Sequence, residues 1–212
     1  GRVLNTRDFY FKTSISEKDD EFVVSLKSSI SKGMYVVFKY IFPKNGYMFK
    51  VNFKSVGMES LLDNNQPPKI NWSTNVFRNS RSIDYENRYT ELTFGYEDDR
   101  VDYLSLSGDD EEDRENIRWI SYRQHFFSAI LIPESSIKSV KLKSKDLSGD
   151  QIFEEKFTKY FESSYLLPKQ VDNINTTFKF YYGPTDYKTL QNLEGDLEAS
   201  IPMGWGIFGW IN

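Results

Sequence analysis

Residues 34–54 read MYVVFKYIFPKNGYMFKVNFK, and this stretch decides the fold class. Phe49, Val51 and Phe53 alternate with Lys50, Asn52 and Lys54. That is the period of a strand with one apolar and one wet face. Met34–Phe42 is rich in Val, Tyr and Phe and reads as the partner strand. Between the two, Pro43-Lys44-Asn45-Gly46 is hairpin chemistry, because Asn-Gly accepts the positive φ of a tight turn. Ser31-Lys32-Gly33 marks a turn before this pair, and Phe22–Leu26 a strand before that turn.

Further along, residues 57–88 are polar, with Asn64-Asn65-Gln66-Pro67-Pro68 at their middle, and are expected to form a long excursion with a short strand near Ile70–Val76. Tyr89–Tyr96 and Val101–Ser107 read as strands, followed by an acidic loop from Gly108 to Asp113. Ile117–Ile132 is too long for one strand and predicts two, or one with a bend, ending at Pro133. Val140 and Leu142 alternate with Lys141 and Lys143, and Phe178, Phe180 and Tyr182 share one face of Thr176–Tyr182. Gln151–Phe161 fits helix and strand periods alike and is read as strand. After Gly183-Pro184, Thr185 or Asp186 can cap a short helix running to Leu193. About a dozen strands and one or two short C-terminal helices predict a mainly β fold, a large antiparallel β-sandwich.

Composition narrows the function. The chain has 212 residues and a net charge of −4, with 27 Lys and Arg against 31 Asp and Glu. A nucleic-acid partner is disfavoured, since phosphate binding needs a positive field. There is no Cys and a single His, so thiol chemistry, Cys-ligated metal and His–His metal pairs are excluded. No metal and no cofactor are expected. The acidic run Asp109–Glu115 lacks the alternating spacing of a calcium loop and reads as a solvated hairpin tip. Asp98-Asp99 and Glu111-Glu112 are adjacent on turns, whereas a glycosidase needs two carboxyls facing each other across a sugar. His125 lies in the most apolar stretch and reads as a buried or half-buried structural residue, bonded to backbone or a carboxylate; Phe127 beside it is expected in the core.

The C-terminal tail differs from the rest. Gly204-Trp205-Gly206-Ile207-Phe208-Gly209-Trp210-Ile211 carries two Trp and no charge. Trp205, Ile207, Phe208, Trp210 and Ile211 are the residues expected to touch a membrane surface or a partner, because Trp favours the bilayer interface. No apolar run is long enough to span a bilayer, and the start of the chain has no signal-peptide core. The chain is therefore expected to be a piece of a longer protein.

Two segments resemble the first periplasmic domain of the Oxa–YidC–Alb family of membrane protein insertases. The first has Trp119, then Gln124-His125-Phe126-Phe127, then Pro133; the second has Gly183-Pro184, a short helix, and Gly204-Trp205. Together they cover about a quarter of the chain, and the remaining β portion is similar in length and strand content alone. The resemblance implies a β-supersandwich of the galactose-mutarotase-like kind over residues 1–196, including a helix at 185–193. It implies an amphipathic segment over 197–212 that leads to a transmembrane helix. It places the domain on the periplasmic face of the Gram-negative inner membrane. The implied function is non-enzymatic help in inserting and folding membrane-protein substrates, with Sec translocon components as partners and the domain's C-terminal end mattering most. Trp119, Gln124, His125, Phe126, Phe127, Pro133, Gly183, Pro184 and Gly204 carry over as structural positions. The rival readings are a secreted or periplasmic carbohydrate-binding β-sandwich and a mutarotase-like enzyme, the latter lacking a second His.

Overall fold

The computed structural model describes residues 3–59, 61, 66–97, 99–149, 156–167 and 173–202. The chain divides into two compact units. Unit 1 holds residues 1–69 and 166–181, and unit 2 holds residues 70–165 and 182–212.

Unit 1 is an antiparallel sheet in the order β1-β2-β3-β4-β12, built from β1 (Lys12–Lys18), β2 (Glu21–Ser31), β3 (Met34–Pro43), β4 (Met48–Val56) and β12 (Asn175–Pro184), the last of which runs on into unit 2. The deciding stretch behaves as read. β3 and β4 pair with Phe38 opposite Phe53 and Ile41 opposite Lys50. Gly33 and Gly46 take φ of +85° and +96° in the two turns. One face of the sheet is aromatic: the Phe38 and Phe53 rings lie 4.7 Å apart, Phe42 and Phe49 4.9 Å, Phe49 and Phe180 5.7 Å. β1 was not foreseen. Its sequence KTSISEK is polar and every residue is exposed, so no apolar face announced it.

Unit 2 holds strands in the order β9-β8-β10-β11-β5, with β6 paired to β7 and β8. These are β5 (Lys69–Phe77), β6 (Glu91–Tyr96), β7 (Arg100–Tyr103), β8 (Asp110–Arg123), β9 (Phe127–Pro133), β10 (Ile137–Asp146) and β11 (Phe157–Leu166). Two short helices, α1 (Ile83–Asn87) and α2 (Tyr187–Gln191), and a 3-10 turn at Leu197–Ser200 complete it. All the strand pairings described in both units are antiparallel, as the mainly β reading requires.

The acidic loop is the largest correction. Only Gly108 and Asp109 turn; Asp110 onward is strand, with Glu111 opposite Lys143 and Asp113 opposite Lys141. Glu111 pairs with both Lys141 and Lys143. Hydrogen bonds from Lys141, then Lys143, hold its carboxyl down at about 2. The carboxylates were read as solvated turn residues because nothing in the local sequence shows the lysines of a strand about 30 residues on. Asn116 takes a left-handed φ of +55°, a kink that interrupts the regular alternation of β8.

Other boundaries moved as well. The strand expected over Val101–Ser107 stops at Tyr103, because Ser105 donates its N–H to the Asp110 carboxylate at 2.7 Å and turns the chain. β5 is longer than foreseen, and α1 was missed within the polar excursion. Helix α1 forms because Ser82 caps it and the Glu86 carboxylate accepts the N–H groups of Asn79 and Ser80 at 2.7 and 2.6 Å. Of the two expected caps, Thr185 and Asp186, it is Asp186 that starts helix α2: its carboxylate accepts from Thr189, which also lowers its pKa. Beyond α2, Leu197 and Ser200 are buried in the 3-10 turn.

Candidate partner-contact site at the His125 hairpin

The β8–β9 hairpin turns at Gln124, His125 and Phe126, and the Gln124 N–H donates to the Phe127 carbonyl at 2.8 Å. The turn has a second anchor. Thr185, immediately after β12, donates its N–H to the Phe126 carbonyl at 2.8 Å and its hydroxyl to the Gln124 carbonyl at 3.1 Å. With that proton committed, the Ser128 hydroxyl is the donor in its 2.8 Å contact with Thr185 Oγ1. Asn79 donates to the Gln124 side-chain carbonyl at 2.7 Å, and Asn79 is itself fixed by the buried Glu86. The two motif segments that lie some 60 residues apart in sequence thus meet at one hairpin tip.

Rings fill the space around His125. Tyr89 stacks on it at 4.5 Å and 20°, Tyr85 meets it edge-on at 5.4 Å, and Phe126 lies at 4.2 Å. The expected hydrogen bond to backbone or carboxylate is not what holds it; Nδ1 is buried with no partner. The Tyr89 hydroxyl beside Tyr85 raises the Tyr85 pKa and keeps that phenol neutral. Such a site offers ring faces and edges, but it has no oriented base of the kind proton transfer requires.

The predicted positions separate into two groups. Trp119, at 1% exposure, and Gly183 are buried. Gln124, His125, Pro133 and Pro184 are half-buried. Phe126 and Phe127 are 51% and 54% exposed, so the placing of Phe127 in the core is corrected. It occupies the first position of β9, and its side chain emerges at the tip of the hairpin. Phe127→Ala is accordingly expected to shift unfolding free energy by less than about 0.5 kcal/mol, readable from urea midpoints. Together with the exposed Tyr85 and Tyr89, these rings form an apolar patch of the kind that contacts partners. Gly204, Trp205, Ile207, Phe208, Trp210 and Ile211 lie outside the described residues.

Sequence reading missed Gly95, Glu86 and Asn79, and took Thr185 only as a possible helix cap. Gly95 had a signal: it is a glycine inside a strand, which often marks a close approach. The Trp119 indole occupies the position that a Cβ on Gly95 would take.

The model of the YidC periplasmic domain family matches residues 1–212, the whole chain. The chain belongs to the YidC periplasmic domain family. Among curated relatives, the membrane protein insertase YidC of Azobacteroides pseudotrichonymphae is 31% identical over 100% of this chain and 35% of its own length. The one from Bacteroides fragilis (strain YCH46) is 29% identical over 99% of the chain and 34% of its length, and that of Parabacteroides distasonis 27% over 100% and 34%. The YidC-family chain thus spans about a third of the curated relatives it matches. A galactose mutarotase related enzyme from Lactobacillus acidophilus is 11% identical, covering 83% of this chain and 72% of that one, with a TM-score of 0.41, too low to carry an argument. Among the described residues no helix is long and apolar enough to cross a membrane.

Proposed function

We propose that this chain is the periplasmic portion of a membrane protein insertase, working beside the inner membrane by contact with substrate proteins or Sec components and without covalent chemistry. The whole-length match to the YidC periplasmic domain family carries this reading. The names of the curated relatives, all insertases, support it. The exposed rings around His125 are the surface best suited to a polypeptide partner, and the Trp-rich tail from Gly204 to Asn212 is the part that lies along the bilayer. The sugar-binding and mutarotase alternatives are not favoured.

The test is complementation. The full-length protein that contains this domain is expressed in cells depleted of their own insertase, and insertion of a single-span membrane protein is followed. Restored insertion is the expected result, and its absence would overturn the reading. Deleting Gly204–Asn212 is expected to leave the circular dichroism spectrum and melting temperature of the chain unchanged while weakening its flotation with liposomes. Undiminished flotation would remove the tail from the membrane.

A further inference from the structure

β1 is the outermost strand of the unit 1 sheet, and among the described residues it pairs with β2 alone. Its seven residues run in unbroken register from Lys12 opposite Lys27 to Lys18 opposite Glu21. No backbone group of β1 bonds to a described residue outside that ladder. The N–H and C=O groups on its outer side therefore face away from the sheet, ready to pair with another extended chain.

Sheet edges are usually blunted by shortness, by proline, by a bulge or by a lysine within the strand. β1 has none of these. It holds no proline, and its lysines stand at its two ends, with Thr13-Ser14-Ile15-Ser16-Glu17 between them. β7, which pairs with β6 alone, is by contrast four residues long.

The side chains add a second observation. Ile15, Val24, Tyr40 and Val51 form one row across β1 to β4. Val51 is buried and Val24 and Tyr40 are half-buried, whereas Ile15 is 73% exposed. The row ends one neighbour short, and a further strand would bring an apolar side chain alongside Ile15.

Charge selects the occupant. At one end of β1, Lys12 stands opposite Lys27. At the other, Glu17, Asp19, Asp20 and Glu21 outnumber Lys18 and Lys44, and Glu17 pairs with Lys44 at 2.9 Å. A strand running antiparallel to β1 meets the acidic end first and the basic end last. The segment that matches is basic at its start, apolar at its middle and acidic at its end. A second copy of β1 fits less well, since Ile15 against Ile15 sets Lys12 against Lys18 at both ends.

We propose that the outer edge of β1 takes an extended segment of another polypeptide as an added antiparallel strand, with a β-branched apolar residue against Ile15 and a carboxylate against Lys12. The proposal rests on the reading that the domain works by contact with proteins, and it concerns a different surface from the rings around His125.

The synthetic peptide TKTVTVE and the full 212-residue chain test it. In the antiparallel register this peptide sets lysine against Glu17, valine against Thr13 and Ile15, and glutamate against Lys12. The expected result is binding that slows hydrogen exchange at alternate amides of β1, those not bonded to β2. N-methylation of one alternating set of peptide amides should abolish binding, and N-methylation of the other set should leave it intact. Lys12→Glu should weaken the peptide about two- to fivefold, the usual worth of a cross-strand charge pair, and the peptide TKTVTVK should restore the loss. Lys12 is exposed, and an unchanged melting temperature would verify that the variant is folded. No binding of TKTVTVE, or an equal effect of the two N-methylated sets, would overturn the proposal. Exchange protection of β1 that grows with protein concentration in the absence of peptide would overturn it in favour of a second copy. Restored insertion in the complementation assay together with no peptide binding would remove the edge and leave the insertase reading standing.

Discussion

Trp119→Ala is expected to lower the unfolding free energy by about 3–5 kcal/mol, as for other large aromatic side chains removed from a packed interior. Trp119 is 1% exposed in β8 and lies against the bare backbone of Gly95 in β6, its paired position. Alanine at 119 would leave a slot that rigid strands on both sides cannot collapse into. The reverse error is also informative. Gly95→Ala adds one methyl group, which would collide with the indole, so overpacking should cost about 1–3 kcal/mol. Urea unfolding with a constant slope is the measurement. A Trp119→Ala midpoint equal to that of the parent would mean that the indole does not fill the space over Gly95.

Glu91→Ala is the second large effect. Glu91 and Arg123 form an ion pair at paired positions of β6 and β8, both about 5% exposed. The Arg123 Nε is already without a partner. Removing the carboxylate leaves a buried guanidinium uncompensated, at a cost of about 3–5 kcal/mol. Replacing both residues, as in Glu91→Leu/Arg123→Met, should recover most of that loss, because a well-packed apolar pair needs no desolvation of charge. If the double variant were as unstable as the single one, the pair would be contributing more than mutual neutralisation. Arg123 adjoins the hairpin that holds His125, so the single variant should also disturb the Tyr89–His125 stack.

The parts of the fold that were legible in the sequence are those where one strand face is apolar and the next residue is not. β4 and β12 have that alternation, and their ends lie close to the boundaries read from it; in β10 it marked Val140 to Lys143 of a strand that runs from Ile137 to Asp146. β1 and the first half of β8 do not. In β8 the alternation is between charges, and its meaning depends on Lys141 and Lys143 of a strand the local pattern cannot reveal. The candidate site was half legible. Trp119 and the Gln124-to-Phe127 run stood out as residue types, and Asp186 as a cap. Their meeting with Thr185 did not, because it is made by backbone carbonyls that have no sequence signature. The burial of Phe127 was misjudged for a related reason: an apolar run around a hairpin tip looks the same on paper as one inside a core.

The closing strand of unit 1 has a consequence for how the domain comes into being. β4 pairs with β12 through contacts such as Lys54 with Asn175, so the sheet is completed by residues about 120 positions downstream. A chain that emerges N-terminus first, at about 5–20 residues per second, would hold β1 to β4 with the β4 edge unpaired for roughly 6–24 seconds before β12 arrives. During that interval the row of phenylalanines on β3 and β4 lacks its final neighbour, while β4 presents unpaired backbone groups of the kind that recruit other strands. Lys50 and Lys54 sit on that waiting edge, and their charge discourages a second nascent chain from adding to it. The lysines thus protect the half-made sheet against aggregation before the finished one has any surface to offer.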